Sequence, residues 1–234
     1  MNLQNTIVLV TGGGSGIGKG IAEMLIASGA RVAITGRSKA RLDATSKEIG
    51  AHAIQADVSK EADVQRTMQE VLRQFGDLDI LINNAGLGVF KPLVEMDLTG
   101  FEQTFATNVT GAFLMAREAA KHFITRKRGN IVNIGSTAGL RGAPNGTAYY
   151  ASKFALRGMT ECWRSELRKH NIRVCLVNPS EVITNFGAAA GFQQKENETK
   201  LRPADIAHAV KAVLEMEDRG FLPELTVFAT NPVD

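Results

Sequence analysis

The sequence is poor in the residues that build a disulfide framework, a metal site or a membrane span. Its only cysteines, Cys162 and Cys175, fall in segments patterned as helix and strand with a core-facing side. They read as small buried thiols, which excludes a disulfide scaffold and fits a reducing, cytoplasmic compartment. Four histidines, His52, His122, His170 and His208, are scattered without metal-ligand spacing, so no protein-bound metal is expected. No apolar run approaches membrane-spanning length, and the first one, Ile7 to Val10, is reached without a charged leader region. Charge of one sign is also scarce. A formal net charge of +3, evenly spread, points to neither nucleic acid nor a membrane surface. The densest basic run, Arg126-Lys127-Arg128, follows an apolar helix and precedes Gly129, which reads as a solvated helix end.

What is present is an ordinary globular composition, 44% hydrophobic and 22% charged over 234 residues, enough to bury a sizeable core in one domain spanning residues 1–234. Apolar runs suited to buried strands lie at Thr6 to Thr11, Arg31 to Thr35, Ala51 to Ala56, Asp79 to Ile82, Ile131 to Ile134, Ile172 to Val177 and Glu224 to Phe228. Helical patterns separate them, among them Lys39 to Ile49, Glu61 to Phe75, Asp97 to Thr125, Thr147 to about His170 and a last helix opening at Arg202-Pro203. Strand and helix alternate throughout. That alternation implies a doubly wound, seven-stranded parallel sheet with helices on both faces, the Rossmann arrangement.

The first strand runs straight into Gly12-Gly13-Gly14-Ser15-Gly16-Ile17-Gly18 and then into a helix. The glycine spacing differs from G-x-G-x-x-G, but the physics is shared: no Cβ at the turn, close backbone approach to a pyrophosphate, and a helix amino terminus facing it. At the end of the second strand the dinucleotide pattern expects an acid for the ribose 2′-hydroxyl. Arg37 stands there instead, between Gly36 and Ser38, with Lys19 and Arg41 nearby. An arginine suits a 2′-phosphate, which favours NADP over NAD; the competing reading is a solvated loop residue. Asp57, followed by Val58, reads from the residues alone as a cap for the helix from Glu61, jointly with Ser59.

Ser136 to Lys153 holds three groups able to act on one substrate. Tyr149 and Lys153 are four residues apart, so on a helix capped by Thr147 they share a face, and the ammonium favours the phenolate. Ser136 closes an apolar strand, which places its hydroxyl at the carboxyl end of the sheet, where open α/β folds bind ligands.

Thr11 to Gly18, Asn83-Asn84-Ala85-Gly86, Asn108 and Ser136 with Tyr149-x-x-x-Lys153 together resemble the short-chain dehydrogenase/reductase family, in its order and spacing over nearly the whole chain. The resemblance implies hydride transfer between a nicotinamide and a carbon bearing oxygen. Tyr149 would be the general acid-base, Lys153 would depress its pKa and bind the ribose, Ser136 would hydrogen-bond the substrate oxygen, and Asn108, bending its helix, would complete a proton relay. Cofactor contacts are implied at Gly12, Ser15, Gly16, Ile17, Gly18, Arg37, Asp57, Val58, Asn84, Ala85, Gly86, Tyr149, Lys153, Pro179, Val182 and Thr184. Ser180 replaces a glycine usual in relatives, and residues 185–200 read as a reduced substrate lid. The helix from Thr147 and the one before it form a dimer interface in relatives, so a homodimer or homotetramer is expected. The ending Asn231-Pro232-Val233-Asp234 lacks the Val-Asp-Gly-Gly that supports many tetramers. The core resembles 3-oxoacyl-(acyl-carrier-protein) reductases. The reduced lid leaves small carbonyls, pterins and hydroxy acids open as substrates, and a non-catalytic NADP-sensing protein remains the reading from another class.

Overall fold

The computed structural model of the chain describes residues 1–191 and 198–231, without the side chains at 188 and 189. Seven parallel strands form one sheet: β1 (Ile7–Thr11), β2 (Arg31–Gly36), β3 (His52–Gln55), β4 (Ile80–Asn83), β5 (Gly129–Ile134), β6 (Ile172–Pro179) and β7 (Glu224–Val227). Their spatial order is β3-β2-β1-β4-β5-β6-β7. The central strands are continuous apolar runs because helices cover both faces of the sheet. Strand geometry sends alternate side chains to opposite faces. Val8 and Val10 therefore join one buried cluster with Ile34, Ile82 and Val132. Ile7 and Leu9 join another with Ala33, Leu81 and Ile131.

The first cluster packs under α1 (Gly16–Ala27), α2 (Lys39–Ile49) and α8 (Pro203–Glu215), which contribute Ile21, Leu42 and Val210. The second packs under α3 (Glu61–Phe75) and α5 (Ala112–Arg126), through Val64 and Phe123. The chain leaves β1 for β2 on one side and reaches β4 on the other. That reversal opens a crevice at the carboxyl ends of β1 and β4.

The helical pattern from Asp97 is split. Asp97 caps α4 (Leu98–Phe105) by accepting from Gly100 N at 2.7 Å, and a π-helical turn over Ala106–Gly111, centred on Asn108, joins it to α5. A π-turn lengthens the hydrogen-bonded loop by one residue, and it falls at the place where the resemblance implied a bend, around Asn108. The remaining helices are α6 (Thr147–Leu167), extended by a tight turn at Arg168–His170, and the short α7 (Phe186–Ala189).

Several local expectations are corrected. Gly146, not Thr147, caps α6, and Thr147 is its first residue. Asp57 does not cap α3, whose cap is Lys60; its Oδ1 instead accepts from Ser59 N at 3.0 Å and Ser59 Oγ at 2.7 Å, closing a local turn. Arg126 is no solvated helix end. Its guanidinium is largely covered and paired with Asp77 at 2.6 Å and Asp79 at 3.1 Å, which ties α5 to the base of β4. Cys175 is buried in β6 as expected, but Cys162 is exposed, because it falls on the outward side of α6. Of the expected lid, residues 192–197 lie outside the described residues, as do residues 232–234 of the chain ending.

Candidate active site

The glycine turn after β1 is held from two sides. Gly12 and Gly16 have φ of +65° and +54°, a region that a side chain strains. Asn84 Nδ2 donates to Thr11 O at 2.9 Å and Gly12 O at 3.2 Å. Thr11 Oγ1 accepts from the backbone N–H of Asn84 and Ala85, each at 3.0 Å. The Asn-Asn-Ala-Gly turn and the glycine turn thus brace each other at the switch point. Gly18 sits at their crossing, where a Cβ would lie 2.4 Å from Asn84 Nδ2 and 2.5 Å from Gly12 O. α1 begins at Gly16, with no side-chain cap from Ser15, so its amino terminus carries the partial positive charge of the helix to this turn.

From here a cleft of about 890 Å³ runs from Gly14 and Arg37 past Val58 and Gly86 to Tyr149 and Phe186. Every cofactor contact expected from the sequence lines it except Gly18, which acts from beneath by allowing the crossing. Arg41 lines the cleft beside Arg37. Lys19 does not; its ammonium is paired with Glu48, so its charge is removed from the expected phosphate region.

At the far end stand the expected chemical groups. β5 ends at Ile134, and Ser136 follows in extended backbone, its Oγ accepting from Ala138 N at 3.1 Å and its hydroxyl near enough to the Tyr149 phenol to pull that group's pKa down. Lys153, one turn beyond Tyr149 on α6, is 7% exposed; its Nζ donates to Ile134 O at 2.9 Å and lies 5.7 Å from the centre of the Tyr149 ring. Asn108 does not line the cleft. Its Oδ1 accepts from Leu87 N at 2.9 Å, and its Nδ2 donates to Leu87 O at 2.8 Å and Ser152 Oγ at 2.9 Å. Ser152 Oγ donates in turn to Tyr149 O at 2.7 Å. The π-turn is thereby tied to the loop after β4 and to the helix that carries Tyr149.

One electrostatic expectation is reversed. Burial pushes the Tyr149 phenol up to about 12, against the pull of the Ser136 hydrogen bond. Burial also brings the Lys153 ammonium down to about 8. The ammonium is turned to a carbonyl and the ring face rather than to the phenol oxygen, so each group mainly feels its own desolvation.

This has a stability consequence with a definite sign. Lys153 titrates near 8 when folded and near 10.5 when unfolded, so between those values the unfolded chain binds more protons. Stability therefore rises across that window, and below pH 8 the charged lysine imposes its full cost, on the order of 3 kcal/mol. Lys153→Met is expected to raise the urea midpoint at pH 7, and its advantage should shrink as pH rises toward 10.5. A variant advantage that is independent of pH would refute the depressed lysine.

Four residues that matter to this geometry were given no such role from the sequence: Thr11, read there only as the first residue of the glycine motif, and Ser152 as tethers, and Phe90 and Phe186 as walls. The polar pair left a signal in being small hydrogen-bonding residues at a strand end and inside Tyr149-x-x-x-Lys153. The phenylalanines left none, since loop aromatics without periodicity have no readable partner.

The cleft suits a dinucleotide. A Cβ at Gly16 would lie 3.4 Å from Thr184 Cγ2, which narrows the cradle, and the buried Thr35 Oγ1 in the cleft wall has no partner among the described residues. A doubly wound parallel sheet with this turn at its switch point, and with tyrosine, lysine and serine at its carboxyl end, defines a dinucleotide-dependent oxidoreductase. The chain belongs to the short-chain dehydrogenase family, whose sequence profile matches residues 6–195. It is 33% identical over 202 residues to the 3-oxoacyl-[acyl-carrier-protein] reductase of Aquifex aeolicus, covering 84% of this chain and 82% of that protein. Among solved structures it resembles 3-ketoacyl-(acyl-carrier-protein) reductase from Brucella melitensis complexed with NADH, with a TM-score of 0.91, 32% identity and coverage of 97% and 98% of the two chains. An alcohol dehydrogenase from Thermococcus sibiricus complexed with 5-hydroxy-NADP gives a TM-score of 0.89 and 28% identity, with 99% and 100% covered.

Proposed function

We propose that the chain is an NADPH-dependent ketoreductase that interconverts a ketone and a secondary alcohol. The observation that carries this reading is the placement of Tyr149, Ser136 and Lys153 together at the far end of a cleft whose other end holds Arg37 and Arg41. A nicotinamide held in this cleft would supply or accept the hydride. Ser136 hydrogen-bonds the substrate oxygen, and Tyr149, protonated at neutral pH, gives its proton to that oxygen as negative charge develops there. In the direction of oxidation Tyr149 takes the proton back. Lys153 would bind the ribose, and its ammonium, charged at neutral pH, would favour the phenolate when it faces the hydroxyl. Asn108 holds α6 and Leu87 in register through Ser152, a positioning part in the relay.

Arg37 favours NADPH because a 2′-phosphate accepts charge-assisted hydrogen bonds from a guanidinium. The NADH and 5-hydroxy-NADP complexes of the two structural relatives leave that preference to measurement. The 3-oxoacyl thioesters named for two relatives are one arm of the substrate panel, beside small ketones, pterins and hydroxy acids. The reading tested against it is an NADP-binding sensor, which has no use for the proton-transfer groups. We also infer that residues 1–234 act as one catalytic domain in the cytoplasm and assemble as a homodimer or homotetramer. Phe113 on α5 and Phe154 on α6 support assembly: they are 41% and 44% exposed, and the two helices pack side by side. Ketone-dependent loss of NADPH absorbance tests the function. Tight NADPH binding without turnover of any panel member favours the sensor.

A further inference from the structure

Tyr149, Lys153 and Arg157 recur every four residues along α6, so they follow one another down one side of the helix. The first two belong to the site described above. Arg157 instead reaches Glu224, which opens the edge strand β7: its Nε lies 3.1 Å from Glu224 Oε1 and 3.3 Å from Oε2, and its Nη2 lies 3.2 Å from Oε2. Glu224 Oε1 also accepts from Asn178 Nδ2 at 2.8 Å. Asn178, in β6, is 1% exposed, and the other end of its carboxamide abuts Gly135, where a Cβ would lie 2.2 Å from Asn178 Oδ1. Gly135 immediately precedes Ser136, and both line the cleft. One carboxylate therefore joins the helix that carries Tyr149 to the strand end that carries Ser136.

The other ties of α6 to the sheet show what this one adds. Lys153 Nζ donates to Ile134 O at 2.9 Å, but Lys153 is the group assigned to the ribose, so a bound nucleotide competes for that tie. Farther along, Thr160 Oγ1 accepts from Asn133 Nδ2 at 2.8 Å, and Arg164 donates to Val174 O at 3.1 Å and Pro223 O at 2.7 Å. These hold the middle and far half of the helix without Glu224. The link through Glu224 lies one turn past Lys153 and uses no atom that lines the cleft. Glu161, on the same helix, stands 3.8 Å from Arg157 Nε, so loss of Glu224 would leave the arginine with an acid beside it but free α6 from Asn178. The side chains of Arg157 and Glu224 are 39% and 25% exposed, so the pair adds little to overall stability; its effect is on where α6 stands.

Resting on the ketoreductase reading above, we propose that Glu224 is a positioning residue for proton transfer: it binds Arg157 and Asn178 together and so fixes the Tyr149 to Lys153 turn of α6 against the strand end that carries Ser136. Tyr149 and Ser136 must meet one substrate oxygen, and a misplacement of about 1 Å in such a site costs roughly a hundredfold in rate.

The test measures kcat, ketone KM and NADPH Kd in the full chain and its variants, with a ketone that the native chain reduces. Glu224→Ala is expected to lower kcat by about 10–100-fold while KM and Kd stay within about threefold of native. Glu224→Gln keeps an oxygen able to accept from both Asn178 and Arg157 Nε, and is expected to restore kcat to within about threefold of native. Arg157→Met severs the same link from the other side, so the Glu224→Ala/Arg157→Met double variant should lose no more than the slower single variant. Native kcat in Glu224→Ala with only Tm lowered, a glutamine variant as slow as the alanine one, or losses that multiply in the double variant each overturn the proposal. Should Glu224→Ala fail to fold, Arg157→Met carries the same expectation for kcat. A second arm needs no turnover: crystal structures of the native and Glu224→Ala proteins, with and without NADP⁺. The separation of Tyr149 Oη from Ser136 Oγ is expected to differ between the two proteins by about 0.5 Å or more, and superposable sites overturn the positioning. If the native chain reduces no ketone, the ketoreductase reading fails, and the crystal comparison still decides whether Glu224 places Tyr149.

Discussion

Tyr149→Phe is expected to lower kcat by about 10²–10⁴-fold, the range that one positioned proton donor supplies. The substitution removes a single oxygen. The ring remains between Phe90 and Phe186, and α6 remains tied through Ser152 to Asn108, so neither the cleft shape nor the lysine is disturbed. NADPH affinity should therefore be unchanged while turnover collapses, a split that a folding defect cannot produce. Raising the phenol to about 12 does not weaken the expectation, because a protonated phenol is the form that reduction consumes. Stopped-flow measurement of nicotinamide oxidation at saturating ketone gives kcat, and a fluorescence titration gives the affinity. A variant retaining more than about a tenth of native kcat would remove Tyr149 from the chemistry.

Arg37→Ala is expected to weaken NADPH binding by roughly 10–100-fold and to leave NADH binding nearly as it was. A charge-assisted hydrogen bond contributes about 1.5–3 kcal/mol, and each 1.4 kcal/mol is a factor of ten. Arg37 lines the cleft at the end of β2, where a shorter acidic side chain would instead meet a ribose hydroxyl. Arg41 stands beside it and Lys19 is committed to Glu48, so the loss in the single variant measures Arg37 against one remaining cation. Titrations of both nucleotides into the native chain and the variant give the two ratios. Equal weakening for both nucleotides would show that Arg37 does not discriminate at the 2′ position.

The sheet was legible because its signals are local and repeated: a buried parallel strand needs an apolar run, and a phosphate turn needs glycine where φ is positive. Lys39–Ile49 and Glu61–Phe75 keep their expected bounds. The chemical groups were legible because Tyr149, Lys153 and Ser136 lie on one helix and one strand end, where spacing fixes direction. What escaped was non-local. The turn of Lys153 toward Ile134 O depends on where β5 ends beneath α6, which no spacing within Tyr149-x-x-x-Lys153 reveals. Cys162 was misplaced because α6 carries apolar residues on more than one side, and Phe154 is 44% exposed on the same helix. Phe90 and Phe186 both approach Gly88 only because a loop and the start of α7, nearly a hundred residues apart, converge there.

The central claim is that hydride passes between nicotinamide and a carbonyl carbon beside Tyr149. NADPH carrying deuterium at C4 of the nicotinamide, on the face transferred, tests it most directly when turned over with a ketone of the substrate panel and the product alcohol is analysed by mass spectrometry and NMR. Deuterium on the carbinol carbon of the product, with a rate that collapses in Tyr149→Phe, is the predicted result. Consumption of the nucleotide with only protium on that carbon would contradict it.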